Sequence, residues 1–325
     1  MFCYNSILGR EGRNEELSYW IGELDCGLIS REEVFVRFLT SQEFGDRQHS
    51  SLEFVPAGHF YSVVPSQQER NDFLNQKNKT ESIPGIFMNE RSQIDLLTHL
   101  KPFVQEFNFP EYKTDEDRYY WNNPAFTLVD GLVLFCIIRH FRPRQIIEVG
   151  SGFSSCLMLD INDCYCEKNV RFTFIEPYPD LLYSLIKPDD VARNTIIPAK
   201  LQDANLEIFS ALNENDILFI DSTHVSKLKS DVNHLLFQVL PNLQPGVIVH
   251  FHDIYWPFEN LRHWIEEGRA WNETYLMRAF LQYNDSFRIL LFPSYLQECK
   301  REFIVSAMPD STKGTAGSLW LQKSK

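Results

Sequence analysis

With 325 residues, 44% hydrophobic and 23% charged, the chain has the composition of an ordinary globular protein large enough for one big domain or two. Its 31 basic residues against 44 acidic ones leave a net charge of -13, which argues against a nucleic-acid backbone or an anionic membrane as main partner. No apolar run approaches the ~20 residues of a membrane-spanning helix. The N-terminus lacks a basic start and apolar segment, and seven cysteines do not look like a disulfide framework, so a cytoplasmic location is expected.

Residues 1–47 read as a small helical module. Leu17, Trp20, Ile21 and Leu24 recur at helical spacing, and Gly27 is a stop. Ser30-Arg-Glu-Glu33 has the form of a capping box ahead of Val34, Val36, Phe38 and Leu39. Residues 48–118 are mixed and include a polar, turn-rich loop from Asn75 to Gly85, so they read as a linker and a segment covering the active site. From 119 to 325 the pattern changes. Val129–Phe141 is a strongly apolar helix. Then Ile146–Val149, Phe172–Ile175, Ile217–Ile220 and Val247–Val249 are short β-rich runs, most of them separated by helical segments, and Phe287–Phe292 and Ser318–Leu321 form a closing pair. Buried parallel strands read as such continuous apolar runs. The expected fold is α/β, a Rossmann-like, seven-stranded, mostly parallel sheet with helices on both faces.

Gln145-Ile-Ile-Glu-Val-Gly-Ser-Gly-Phe-Ser-Ser155 is a strand running into a glycine turn and then a helix. Gly150 permits the tight turn and Gly152 a close approach of backbone to ligand, so Gly150, Ser151, Gly152 and Ser154 are candidate cofactor contacts. Glu148 at the strand end can bind the ammonium of an amino-acid moiety. The third glycine of a dinucleotide fingerprint is replaced by Ser155, which favours S-adenosyl-L-methionine over a dinucleotide. Glu176, ending the second strand, can accept both hydroxyls of a ribose. Gln202 and Asp203, after the third strand, either reach the adenine or cap a helix.

Asp221 ends the fourth strand, with His224 three residues on, and the fifth strand ends in Val249-His-Phe-His-Asp253. In an open α/β sheet these ends converge on one crevice. Five of the nine histidines lie between 224 and 263. Alternation puts His250 and His252 on one side of the strand. Asp221, His252 and Asp253 are candidate ligands for a divalent cation, magnesium or manganese. Such an ion would orient a substrate hydroxyl and lower its pKa. His224, near neutral pKa, is a candidate general base, with Asp221 as its catalytic companion. Trp256, Phe258, Trp264 and Trp271 could wall a sugar or pack in the core.

From about 119 the chain resembles class I methyltransferases of the bacterial group called methyltransferase family 24. The resemblance is carried by Glu148-Val-Gly-Ser-Gly-Phe-Ser-Ser155, Asp221-Ser-Thr-His-Val225, Ser230-Asp-Val-Asn233, Val249-His-Phe-His-Asp253 and Trp271-Asn-Glu273. It implies S-adenosylmethionine and a hydroxyl acceptor, a small molecule or a glycan such as a surface polysaccharide or glycolipid. Gly58-His-Phe-Tyr-Ser62 looks like a segment preceding this domain in relatives, which implies that His59 and Tyr61 close over the site. The metal-dependent sugar O-methyltransferases it is also similar to carry two acidic ligands after the fifth strand, where this chain has His252 first. The N-terminal motif ending in Phe38-Leu-Thr-Ser-Gln-Glu-Phe44 resembles a small bacterial domain of unknown function. Two other readings stay open: an iron-dependent oxygenase using an Asp and two His as a facial triad, and a methyltransferase-like protein that only binds.

Overall fold

The computed structural model describes residues 4, 11–41, 54–76 and 80–325. Residues 8–10 and 42–44 of the N-terminal motif, the expected module end at 47, and 77–79 of the polar loop lie outside the described residues. The chain divides into two compact units, residues 1–73 and 74–325.

In the first unit the expected helices run Asn14–Asp25 and Arg31–Leu39. The capping box forms. The Ser30 hydroxyl accepts the Glu33 N–H (3.1 Å), and the Glu33 carboxylate accepts the Ser30 N–H (2.8 Å). Val34 and Phe38, one helical turn apart, bury against Tyr4 and Ile29, whereas Val36 faces outward. His59 and Tyr61 belong to this unit; the Tyr61 N–H donates to His59 Nδ1 at 3.1 Å.

The second unit is built on a seven-stranded sheet in the order β3-β2-β1-β4-β5-β7-β6. The strands are β1 (Gln145–Val149), β2 (Arg171–Ile175), β3 (Thr195–Ile197), β4 (Ile217–Ile220), β5 (Ile248–His252), β6 (Phe287–Leu291) and β7 (Ser318–Lys323). β1 to β5 pair in parallel, and β7 lies antiparallel between β5 and β6. β1 and β4 are neighbours although two strands intervene in sequence. The chain therefore reverses its direction of travel across the sheet there, and a crevice opens beyond the carboxyl ends of β1 and β4. β5 extends three residues past the expected Val249, so His250 and His252 lie inside the strand. Their rings are 5.7 Å apart on one face, as alternation requires.

The Leu128–Phe141 helix buries eleven consecutive residues, from Leu128 to Ile138, which is why its sequence is apolar all round. The single acid within that run, Asp130, accepts the Gly317 N–H through both oxygens (3.0 and 3.2 Å).

Within the stretch 48–118, residues from Leu74 onward belong to the unit of the sheet. The Glu90–Val104 helix buries Gln93, Leu96, Leu97 and Leu100 in the main core. The Gln93 side chain accepts the Phe292 N–H just past β6 (2.7 Å). Arg118 then anchors the chain ahead of the sheet. Its guanidinium donates twice to Asp190 (2.7 Å each), to Asp160 (2.5 Å) and to Asp163 (2.9 Å). Short polar sequence between helices hid this anchorage, since each partner lies more than 40 residues away.

Candidate active site

The glycine turn sits at the end of β1. Gly150 has φ +79°, and a Cβ there would lie 2.0 Å from the Asp221 carbonyl oxygen, so only glycine fits. Its N–H donates to Ile175 O (3.0 Å), and the Asp221 N–H donates to Val149 O (2.8 Å). The turn is thus stitched to the ends of both β2 and β4. At Gly152 a Cβ would meet only Leu181 at 3.8 Å, which leaves the outer side of the turn open.

Glu148 does not face that open side. Its carboxyl is fully buried, taking the Ser154 hydroxyl on one oxygen (2.6 Å) and the Ser155 hydroxyl on the other. Burial raises its pKa to about 8 against the lowering effect of the two hydroxyls. Ser155 in turn accepts the Gly152 N–H (3.0 Å). Glu148, Ser154 and Ser155 therefore form one buried hydrogen-bonded set at the glycine turn. Glu176 is half-buried beside the turn, accepting the Ser151 N–H (3.2 Å) and the Tyr178 N–H (2.8 Å). The Ser151 hydroxyl is buried with no partner among the described residues. Gln202 and Asp203 lie in a short turn, Leu201–Asp203, where Asp203 is exposed and the Gln202 amide donates to Lys229 O (2.7 Å). An open glycine turn, a half-exposed carboxylate and an unpartnered hydroxyl fit a ligand with amino-acid and ribose parts, as S-adenosylmethionine has.

Beyond β4 and β5 the titratable groups converge. His224 Nε2 lies 3.5 Å from Asp221 Oδ1 and 3.6 Å from Asp253 Oδ2, and its Nδ1 bonds Glu273 Oε2 at 2.9 Å. Burial lowers the pKa of His224, but hydrogen bonds to Asp221 and Glu273 outweigh it and raise the value to about 10. The expectation of a near-neutral pKa is corrected: Asp221 and Glu273 favour the imidazolium form of His224. Asp221 is pushed up by burial yet held below the usual carboxylate range by His252 and His224. For His252, burial is outweighed by Asp221, Asp253 and Asp130, which raise its pKa.

Glu273 was not legible in advance as part of this cluster. It is 2% exposed and also accepts the Ser222 hydroxyl (2.9 and 3.0 Å). The Asn272 and Glu273 N–H groups both donate to the His224 carbonyl (3.1 Å each), and the Asn272 side chain brackets Ser226. Thr223 donates through its backbone and hydroxyl to Asp231 (2.9 and 2.6 Å), and Ser226 donates to Asn233 (2.6 Å). The three separate motifs around 221–226, 230–233 and 271–273 are therefore one hydrogen-bonded assembly. It holds His224 at φ +59°, a conformation costing about 1–2 kcal/mol for a residue with a Cβ.

His250 takes no part. It is fully buried, stacks on Phe219 at 3.8 Å, and neither ring nitrogen has a partner among the described residues. The aromatic wall divides as well. Trp271 packs on His224 (4.5 Å) and Trp264 on Trp271 (4.8 Å), whereas Trp256 and Phe258 pack on Phe292 in the core.

The expected metal ligands do not assemble. Among the described residues no three His, Cys, Asp or Glu side chains are placed to hold an ion. Asp221 and Asp253 instead share the Nε2 edge of His224, and His252 Nε2 stays 3.6 Å from Asp253. With both carboxylates turned to the Nε2 edge of His224, these residues form no set that fits a divalent ion, and the facial triad is likewise unformed.

Residues 147–254 match the family model described as a methyltransferase domain, and residues 1–48 match that of a domain of unknown function (DUF4214). An uncharacterized protein from Archaeoglobus fulgidus is 35% identical over 172 residues, which are 51% of this chain and 76% of that one. Among solved structures, the methyltransferase PaMTH1 of Podospora anserina, bound to S-adenosylhomocysteine, is 14% identical with a TM-score of 0.39, covering 81% of this chain and 99% of its own. The O-methyltransferase TomG of Streptomyces achromogenes is 15% identical with a TM-score of 0.39, covering 71% and 90%.

Proposed function

We propose, for a chain that belongs to the class I S-adenosylmethionine-dependent methyltransferases and shares its family with the archaeal relative, that it methylates a hydroxyl oxygen, with His224 taking the hydroxyl proton. The observation that carries this is the setting of His224 between Glu273 on Nδ1 and Asp221 and Asp253 on Nε2, beside the glycine turn. S-adenosylmethionine supplies an electrophilic methyl group on a sulfonium. Ser151 and Glu176 bind its amino-acid and ribose parts, while Glu148, Ser154 and Ser155 keep the turn in shape. Gln202 and Asp203 border the adenine.

With S-adenosylmethionine bound, its cationic sulfonium would favour neutral His224, the Nε2 proton passing to solvent while Nδ1–H stays on Glu273. Nε2 then accepts the acceptor's hydroxyl proton as oxygen bonds to the methyl carbon and the carbon–sulfur bond breaks. Asp221 and Asp253 balance the imidazolium that re-forms. Alignment of the oxygen with the methyl supplies most of the remaining rate. No divalent cation belongs to this reading. The acceptor is a small molecule or glycan bearing a free hydroxyl, sugars of surface polysaccharides and glycolipids included, and the protein works in the cytoplasm. Among the described residues no helix is long and apolar enough to cross a membrane.

Calorimetric titration with S-adenosylhomocysteine, with and without magnesium or manganese, tests the binding half, alongside Glu176→Ala. Saturable binding that is independent of metal and weakened in the variant is the expected result. Methyl transfer to a panel of sugars, lost in His224→Asn with cofactor binding intact, tests the chemical half. Failure to bind S-adenosylhomocysteine at all would sink the proposal.

A further inference from the structure

The connection between β6 and β7 is long. Two short helices, Pro293–Cys299 and Arg301–Ala307, are followed by a turn at Pro309–Lys313. Together with the segment after β5 they line an open cavity of about 480 Å³, large enough for a monosaccharide with a substituent. Nothing in the methyl-transfer chemistry above uses it.

This cavity shares a wall with the catalytic cluster. Tyr255 lines it, and the Tyr255 hydroxyl donates to Asp253 Oδ1 at 3.3 Å. Gly317, where the connection enters β7, packs against both: a Cβ there would lie 2.6 Å from the Tyr255 hydroxyl and 3.2 Å from Asp253 Oδ1. The Ile254 N–H donates to the Gly317 carbonyl (3.2 Å). Cavity and cluster are therefore fixed to each other by both backbone and side chain.

The lining has the chemistry of a polar, anionic ligand. Tyr255 and Trp256 offer aromatic surface, and Ser294, Thr312 and Thr315 offer hydroxyls. Ser311 also lines it, 2% exposed, with a hydroxyl that has no partner among the described residues. Two cations, Arg301 and Lys313, face one carboxylate, Glu298. Lys313 pairs with Asp310 at 2.9 Å, but both side chains are about half exposed, so the pair is weak. With Asp310 beside Lys313, Arg301 is the lining cation that has no ion-pair partner among the described residues, and it offers a fork of donors to a negative group.

We infer that this cavity is the acceptor subsite, and that the acceptor is a saccharide carrying an anionic group, a uronate carboxylate or a phosphate. Its reacting hydroxyl lies on the Asp253 side of Tyr255 and its anionic group on the side of Arg301 and Lys313. The inference rests on the reading of His224 and its carboxylates as the methyl-transfer site, and it narrows the substrate of that site.

The test is calorimetric titration of the full-length protein saturated with S-adenosylhomocysteine. The probes are glucose, glucuronate, glucose 1-phosphate and inorganic phosphate, and the comparison is the double variant Arg301→Ala, Lys313→Ala. Glucuronate or glucose 1-phosphate should bind at least about tenfold more tightly than glucose or phosphate, with the better of the two naming the anionic group. The double variant should weaken that binding by about tenfold or more while the affinity for S-adenosylhomocysteine is unchanged. The inference is overturned if neither anionic sugar binds to a protein that still binds S-adenosylhomocysteine. It is equally overturned if phosphate alone binds as tightly as the sugar, or if the double variant binds as well as the wild type. A wild-type protein that does not bind S-adenosylhomocysteine overturns the methyltransferase reading itself, and this inference with it.

Discussion

Replacing Glu273 by glutamine removes a charge and little else, because the amide oxygen can still accept from His224 Nδ1. The wild-type contact is a 2.9 Å bond between two groups that are 7% and 2% exposed. A hydrogen bond to a charged partner contributes about 1–2 kcal/mol more than a neutral one. Glu273→Gln should therefore lower stability by about 1–2 kcal/mol at pH 6. The cost should depend on pH in one direction. The folded pKa of His224, about 10, is raised above its ordinary value of 6.5. Stability from the charged pair is then fully present below about pH 6.5 and lost as pH rises through 10. The gap between wild type and variant should accordingly narrow from pH 6 to pH 10. Urea unfolding at pH 6, 8 and 10, repeated in a His224→Asn background, measures it. Groups that titrate in both proteins, Glu148 among them, cancel in the difference. A penalty of the same size at every pH, or one that persists without His224, would refute the assignment of the stabilisation to this pair.

Gly150→Ala combines a left-handed backbone position with a Cβ 2.0 Å from the Asp221 carbonyl. It should cost about 3 kcal/mol in unfolding experiments and abolish S-adenosylhomocysteine binding; a variant that binds normally would show that the turn is not rigid. Arg118→Met leaves Asp160 and Asp190 buried without their cation, so a loss of about 3–5 kcal/mol is expected in the denaturation midpoint and slope, and a loss under about 1 kcal/mol would contradict the anchoring role. His250→Phe exchanges a ring with two unpartnered nitrogens for an apolar ring on Phe219. Its stability should stay within about 1 kcal/mol of wild type or rise, with cofactor affinity unchanged, and a loss of binding would return His250 to the site.

The amino-acid sequence by itself determined every strand but the three-residue β3, the glycine turn, and the placing of Asp221 just past β4 with His224 three residues on. Those features are written in local pattern: continuous apolar runs, a glycine where φ must be positive, polar residues directly after a strand. It also held the capping box of Ser30 and Glu33, whose partners are three residues apart. What only the tertiary structure decided depends on distant neighbours. Glu148 is buried because Ser154 and Ser155, in the first turn of the helix that follows, donate to its carboxyl. The pKa of His224 is raised because Asp221 and Glu273, the latter 49 residues away, close on its ring. Asp221, His252 and Asp253 are near one another yet form no ligand set, since Asp221 and Asp253 both turn to the Nε2 edge of His224. A lone acid in an apolar helix, Asp130, and an acid beside a tryptophan, Glu273, were the available hints. Spacing along the chain says which residues are present at a strand end, but charge state and partnership are set by what the fold brings against them.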